Sequence, residues 1–175
     1  MEQKALILDE KAMSRAIARI SFEIIERNKG VDNLCLIGIL SRGGQLAKRI
    51  ADKIKSVENR EVEIGLLDIT PFRDDTQKDN KTTDSSSIGF DINDKKVILV
   101  DDVIYTGRTV RAAIDALMAR GRPELIQLAV LVDRGHRELP LRADFIGKNL
   151  PTSKEEQVKV YVSERDGEDK VVIFG

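Results

Sequence analysis

The residues best suited to chemistry in this 175-residue chain form one run, Asp101-Asp102 followed by Val103-Ile104-Tyr105-Thr106-Gly107-Arg108-Thr109. Val97-Ile98-Leu99-Val100, just ahead of it, reads as a buried strand, and a helical pattern starts at Thr109 and runs to Gly121. In an open parallel sheet, ligands settle beyond the carboxyl ends of the strands. Two adjacent carboxylates there suit the vicinal hydroxyls of a ribose, each accepting a hydrogen bond. The Thr-Gly-Arg-Thr turn places backbone N–H groups and two hydroxyls at a helix N-terminus, where orphan donors and the helix dipole favour a phosphate. Gly107 allows close backbone approach or a positive φ. The competing reading, a capping region with an ordinary turn, needs the whole run to be accidental. The spacing therefore points to a ribose and its 5′-phosphate held side by side.

Three further groups are expected near that edge. Ser41-Arg42-Gly43 follows the apolar run 34–40 and precedes a second helix, so it offers another set of backbone donors. On spacing alone, a plain strand-to-helix turn competes with a binding role for it. Asp133-Arg134-Gly135-His136 ends a third apolar run, 125–132. His136 is the only histidine. A lone histidine more often makes a structural hydrogen bond, and Asp101 or Asp102 is no weaker a candidate for a proton acceptor. No Gly-x-x-x-x-Gly-Lys-Ser/Thr run occurs, which disfavours a P-loop kinase.

The elements that position these groups alternate in type. Asp9 is a suitable N-cap for a helix over about 10–28, with Met13, Ile17, Ile20 and Ile24 in one stripe and Gly30 suited to the left-handed stop. Residues 34–40 form a strand apolar on both faces, and 45–55 resume helical spacing through Leu46, Ile50 and Ile54. Residues 61–69 give a second strand. From 70 to about 93 little is available for burial, the pattern of a lid loop. A disordered linker competes with that reading, though the strand resuming at Val97 argues against a domain boundary. Tyr161-Val162 and 171–174 are expected as edge strands. Alternating strands and helices predict an α/β domain with a mainly parallel sheet flanked by helices.

Composition narrows the class. Apolar residues make up 41% and charged residues 34%, as in ordinary globular chains, and one domain is the expected organisation. A net charge of −1 gives no general attraction to nucleic acid or anionic membrane, although it can conceal a local basic patch. The single cysteine, Cys35, rules out an internal disulfide and a cysteine-cluster metal site. No apolar stretch approaches the roughly 20 residues of a membrane helix, and residues 1–9 lack a signal-peptide pattern, so a cytoplasmic protein is expected.

The run 97–109, a hydrophobic strand with two acids and a Thr-Gly loop, resembles the phosphoribosyl-pyrophosphate signature of type I phosphoribosyltransferases. Residues 125–150, containing Asp133-Arg134-Gly135-His136-Arg137-Glu138-Leu139-Pro140, resemble the pyrimidine operon regulators that are also uracil phosphoribosyltransferases. So do 23–30 and 68–75, and the likeness spans nearly the whole chain except about 76–94. It implies the type I phosphoribosyltransferase fold, with a small hood and a long flexible lid loop. It also implies transfer of phosphoribose from phosphoribosyl pyrophosphate (PRPP) to uracil, giving UMP and pyrophosphate. Asp101 and Asp102 would serve the ribose, and Val103, Ile104, Tyr105, Thr106, Gly107, Arg108 and Thr109 the 5′-phosphate. Ser41, Arg42 and Gly43 would form the pyrophosphate loop, and Arg73 would be a lid residue reaching the pyrophosphate. Asp133, Arg134, Gly135 and His136 would face the base. Mg²⁺ would be carried by substrate and water rather than by a direct protein cage. Family members have threonine where this chain has Ser41, and a bulkier residue at Gly44.

The same family binds leader RNA of the pyrimidine operon under control of uridine nucleotides such as UMP and UTP, and tends to form dimers or larger oligomers. Lys11, Arg15 and Arg19 repeat every four residues on the first helix, and Arg142, Lys148 and Lys154 extend the basic set. A solvated helix face competes with this reading, and Glu10, Glu23 and Glu26 dilute the stripe. The family's Thr-Arg-x-x-His reads here Ala18-Arg19-Ile20-Ser21-Phe22. Phe22 would either stack on an unpaired base or pack in a subunit interface. Two rival functions are a nucleotide-sensing RNA regulator with negligible turnover, and a phosphoribosyltransferase for another base such as hypoxanthine.

Overall fold

A computed structural model describes residues 1–74 and 83–175. Five parallel strands form the central sheet in the order β3 (Glu63–Leu67), β2 (Leu34–Ile39), β4 (Lys96–Ile104), β5 (Leu125–Asp133), β6 (Phe145–Asn149). Helices α1 (Glu10–Arg27) and α2 (Arg42–Glu58) cover one face of this sheet and α3 (Arg108–Met118) the other. Alternation along the inner strands serves both sides. Leu34 and Leu36 join the α1–α2 core, whereas Cys35, Ile37 and Ile39 join the α3 core. The run of buried residues in β2 is the mark of a strand covered on both faces.

The expected caps are present with one shift. Ala12 N donates to Asp9 Oδ1 at 2.8 Å, closing the start of α1. The first left-handed residue after α1 is Lys29, with φ 54°, and Gly30 follows at φ 115°. Two boundaries differ more. Helix α2 begins at Arg42, so Arg42-Gly43-Gly44 is its first turn rather than a separate breaker. Strand β4 runs four residues beyond Val100, because Asp101 pairs with Val130, Val103 with Val132 and Ile104 with Asp133. The acid pair therefore lies inside a strand, and only Tyr105, Thr106 and Gly107 make the turn into α3. Beyond 125–133, β6 is an additional strand of the sheet.

The remaining strands do not extend the parallel sheet. β1 (Gln3–Leu8), β7 (Gln157–Tyr161) and β8 (Lys170–Phe174) form a separate antiparallel sheet in the order β1-β8-β7, with the short helix α4 (Ser163–Asp166) joining β7 to β8. This hood shares the α1–α2 core through Val160, Val162 and Val171. The middle of the expected lid, residues 75–82, lies outside the described residues. The part from 83 onward is more tied down than its composition suggested. Ser87 and Leu66 exchange backbone hydrogen bonds at 2.9 and 2.8 Å, Ile92 is buried, and Ile88 and Phe90 pack on the α3 core.

Candidate active site

Loops from the carboxyl ends of β2, β4 and β5 converge at one edge of the sheet. Gly107, with φ 92°, supplies the left-handed residue that turns β4 into α3, and Arg108 N donates to Thr106 Oγ1 at 3.3 Å. The turn encloses a hollow of about 410 Å³ lined by Arg73, Glu138 and residues 103–110. Its amide groups open α3, the arrangement that attracts a phosphate. Arg108 is shared between Glu138 and Asp74, at 3.1 and 3.0 Å, so carboxylates already occupy one cation of the cradle. Arg73 follows a short 3-10 turn, Thr70–Phe72, that Arg111 anchors through the Phe72 carbonyl at 3.1 Å.

Successive strand residues point to opposite faces, and this separates the acid pair. Asp101 is buried and accepts the Asp102 N–H at 2.9 Å. Burial first, and then the neighbouring Asp102 charge, pushes the Asp101 carboxyl well above the usual carboxylate range, with Arg73 opposing. Asp102 is half-buried and accepts the Val103 N–H at 2.8 Å. It lines a second hollow of about 410 Å³ with Arg42 and Val158, Lys159, Val160 and Tyr161 of β7. Of the two acids, Asp102 faces the cleft between sheet and hood.

The loop after β2 lies against the same edge. A Cβ on Gly43 would collide with the Val100 carbonyl, just before Asp101, so the approach requires glycine. Ser41 precedes α2 without a side-chain capping bond, and a cis peptide joins it to Leu40. Arg42 reaches the hood: its Nη2 and Nε donate to Asp166 Oδ1 and Oδ2 at 3.0 and 3.3 Å. The Val162 N–H and then Arg42 hold the Asp166 carboxyl below its ordinary range. The hood is thereby clasped to the turn expected to take pyrophosphate.

After β5, Gly135 and His136 both have positive φ, 79° and 65°. Both Asp133 carboxylate oxygens are engaged internally, Oδ1 by Gly135 N at 3.0 Å and Oδ2 by Arg137 Nη2 at 2.6 Å. Arg134 is buried, with its guanidinium 4.1 Å over the Tyr105 ring and Nη2 donating to the Ser153 carbonyl at 2.9 Å. Its buried Nε has no partner among the described residues. His136 Nε2 lies 2.6 Å from the Thr152 carbonyl, and its ring meets Tyr105 edge-on. The backbone here is partly committed as well: Arg134 N donates to the Ile104 carbonyl at 3.2 Å and the Arg134 carbonyl accepts from Thr152 Oγ1 at 2.9 Å. The β7 lining, Asp166 and Arg137 went unassigned in the sequence. Arg137 was visible beside His136, but nothing local distinguishes it from a surface arginine.

The basic residues expected to bind RNA are exposed but not all together. Arg19 donates to the Ile146 and Gly147 carbonyls of β6 at 3.1 and 2.5 Å, beside Lys148, and Arg15 lies one turn earlier. Arg142 precedes Asp144, which pairs with Arg27 at 3.3 Å at the far end of α1. Lys154 stands instead near the base loop, next to Ser153. Phe22 is 49% exposed under the Lys53 ammonium, 5.5 Å from its ring.

Residues 4–165 match the phosphoribosyl transferase domain. The chain is 57% identical over 178 residues to proteins named bifunctional protein PyrR from Bacillus cereus (strain AH820) and Bacillus thuringiensis subsp. konkukian (strain 97-27), covering 99% of both chains in each case. Its fold is similar to a hypoxanthine phosphoribosyl transferase of Trypanosoma cruzi, with a TM-score of 0.76, 18% identity, and 99% of this chain and 92% of that one covered. A hypoxanthine phosphoribosyltransferase of Staphylococcus aureus aligns with a TM-score of 0.72, again at 18% identity, over 97% and 92%. At that identity the two solved structures speak to the fold alone.

Proposed function

The chain belongs to the phosphoribosyl transferase family and, within it, to the bifunctional PyrR proteins, and we propose that it converts uracil and PRPP to UMP and pyrophosphate while regulating pyrimidine genes through leader RNA. The observation that carries the catalytic reading is a pair of neighbouring hollows at the carboxyl end of β4, one formed by the 103–110 turn with Arg73 and the other by Asp102 with Arg42 and the hood strand β7. Each part answers a portion of PRPP. The amides opening α3 take the 5′-phosphate, Asp102 accepts from ribose hydroxyls, and Arg42 with the Gly43 turn meets the pyrophosphate.

Transfer proceeds through charge separation between an oxocarbenium-like ribose and a departing polyanion. Preorganised donors that meet that charge, in a cleft the hood shields from water, lower the barrier. Asp102 offers hard oxygen donors beside the pyrophosphate loop, which suits a Mg²⁺ ion carried mainly by substrate and water. When bound, that ion neutralises pyrophosphate charge. We assign Arg73 to the leaving group on the resemblance; here it lines the 5′-phosphate cradle rather than the hollow of Arg42 and Asp102. The Gly135 carbonyl and the His136 backbone read the uracil edge.

The regulatory half rests on Arg15, Arg19, Arg142 and Lys148, with Lys154 more distant, as a surface for leader RNA that UMP or UTP strengthens. We read the protein as cytoplasmic and a homo-oligomer; among the described residues no helix is long and apolar enough to cross a membrane. The test is pyrophosphate release with Mg²⁺ across uracil, hypoxanthine and other bases. Release with uracil alone is expected. Preference for hypoxanthine would replace the base assignment, and leader-RNA binding without turnover would make the protein a nucleotide sensor only.

A further inference from the structure

The 5′-phosphate turn and the base loop are separate in sequence, yet one side chain bridges them. Arg137 Nη1 donates to the Tyr105 carbonyl at 2.7 Å and Nη2 to Asp133 Oδ2 at 2.6 Å, while Nε donates to the Leu141 carbonyl at 2.8 Å. All three nitrogens are engaged, and the side chain is only 21% exposed. The backbone on either side runs the same way: Glu138 N and Leu139 N donate to the Thr106 carbonyl at 2.9 and 3.1 Å, and Arg134 N to the Ile104 carbonyl at 3.2 Å. Tyr105 meanwhile has Arg134 over its ring and His136 at its edge.

We infer that Arg137 is a positioning residue that sets the separation between the phosphate cradle and the base loop. This rests on the reading of 105–109 and 133–136 as the two subsites. A planar guanidinium holds three acceptors in one rigid fork, which a lysine ammonium cannot reproduce. The acceptors are a carbonyl of the phosphate turn, the carboxylate that shapes the base loop, and a carbonyl of the segment closing over Gly107. The nucleophilic base nitrogen and the ribose carbon it attacks belong to ligands anchored at opposite ends of this bridge. A misplacement of about 1 Å between reacting atoms costs about 100-fold in rate. Arg137 touches neither ligand, so its effect appears only where both subsites must act together.

That distinction supplies the test. Affinities of the Arg137→Lys protein are measured for UMP, which spans both subsites, and for ribose 5-phosphate and uracil, which each fill one. The expected result is UMP weakened about tenfold and kcat lowered about 10- to 100-fold, with each fragment altered by less than about threefold and the melting temperature nearly unchanged. Equal weakening of UMP and ribose 5-phosphate would make Arg137 a prop of the phosphate turn alone and overturn the inference, as would unchanged UMP binding. If Arg137→Lys melts early, Arg137→Gln is put through the same comparison. Should the wild type use hypoxanthine instead of uracil, the base assignment fails separately, and IMP against its fragments decides the role of Arg137.

Discussion

At the carboxyl edge of the parallel sheet, charged side chains are held by loops that fold onto one another; on the outer face of α1 they stand along one helix. Arg137 and Arg134 are engaged by atoms of neighbouring loops and Asp133 by its own loop, all largely shielded from solvent. Arg19 and Glu23 are about half exposed, and Arg19 leans on two β6 carbonyls. The first arrangement is preorganised, so its groups act at a fixed place. The second is adaptable and screened by salt, which suits a surface that meets a long polyanion. One chain thus carries a rigid site for a small ligand and a looser surface for a large one.

The comparison is broken most directly at Asp102. Asp102→Asn should lower uracil-dependent pyrophosphate release about 100- to 1,000-fold, the size expected for losing a preorganised electrostatic contact, while leader-RNA binding without nucleotide stays near wild type. Steady-state kinetics beside a gel shift would show the separation; a loss under tenfold would remove Asp102 from the ribose.

Arg19→Ala should do the converse. We expect about tenfold weaker RNA binding and a shallower salt dependence, with turnover unchanged and stability altered by no more than about 1 kcal/mol. Equal RNA affinity for variant and wild type would take the α1 face out of the interaction.

The two acids of the pair should also differ. A carboxyl whose pKa is raised on folding binds its proton more tightly when folded. Its stabilising contribution is therefore full below the ordinary carboxylate pKa and is lost as pH rises through the folded value. Asp101→Asn removes that loss. The variant should melt a few degrees above wild type at pH 8, and the gap should close towards pH 4. A gap that widened on acidification would contradict the buried, proton-retaining Asp101.

The smallest effect belongs to Cys35. Burial pushes its thiol up to about 12, so it should stay unmodified by a thiol reagent at pH 8 until the protein unfolds. Labelling in the native protein, followed by mass spectrometry, would reveal any opening of the β2 core.

What could be read from the sequence follows the same division. The strand–acid–turn–helix run was legible because its parts are neighbours and each answers a local rule: buried apolar residues, helix-end donors, a glycine for positive φ. The α1 stripe and the Asp9 cap were legible for the same reason. Of the hood, residue patterns show strands near 161 and over 171–174 but not β1, and they place 171–174 at an edge, whereas β8 is the middle strand because β1 pairs with it across nearly the entire chain. Likewise the Arg42–Asp166 clasp and the Arg137 bridge depend on partners 124 and 32 residues away. Strand β4 was read too short because acids usually end a strand, whereas here the pairing with β5 carries it on to Ile104. Residues 83–93 were read as unburied because only Ile88, Phe90 and Ile92, spaced two apart among polar residues, do the packing.

The pairing of β1 with β8 also bears on how the protein is made. Glu2 and Gly175 exchange backbone hydrogen bonds at 3.2 and 3.0 Å, so β1, synthesised before the parallel sheet, finds its partner β8 only after that sheet has been made. The parallel sheet and its helices can assemble during synthesis, with the roof of the cleft added once β8 has emerged. Nascent chains stalled before Lys170 should accordingly protect β2 and β4 amides from exchange while leaving β1 open. Protection of β1 in those chains would show that the roof begins to form without β8.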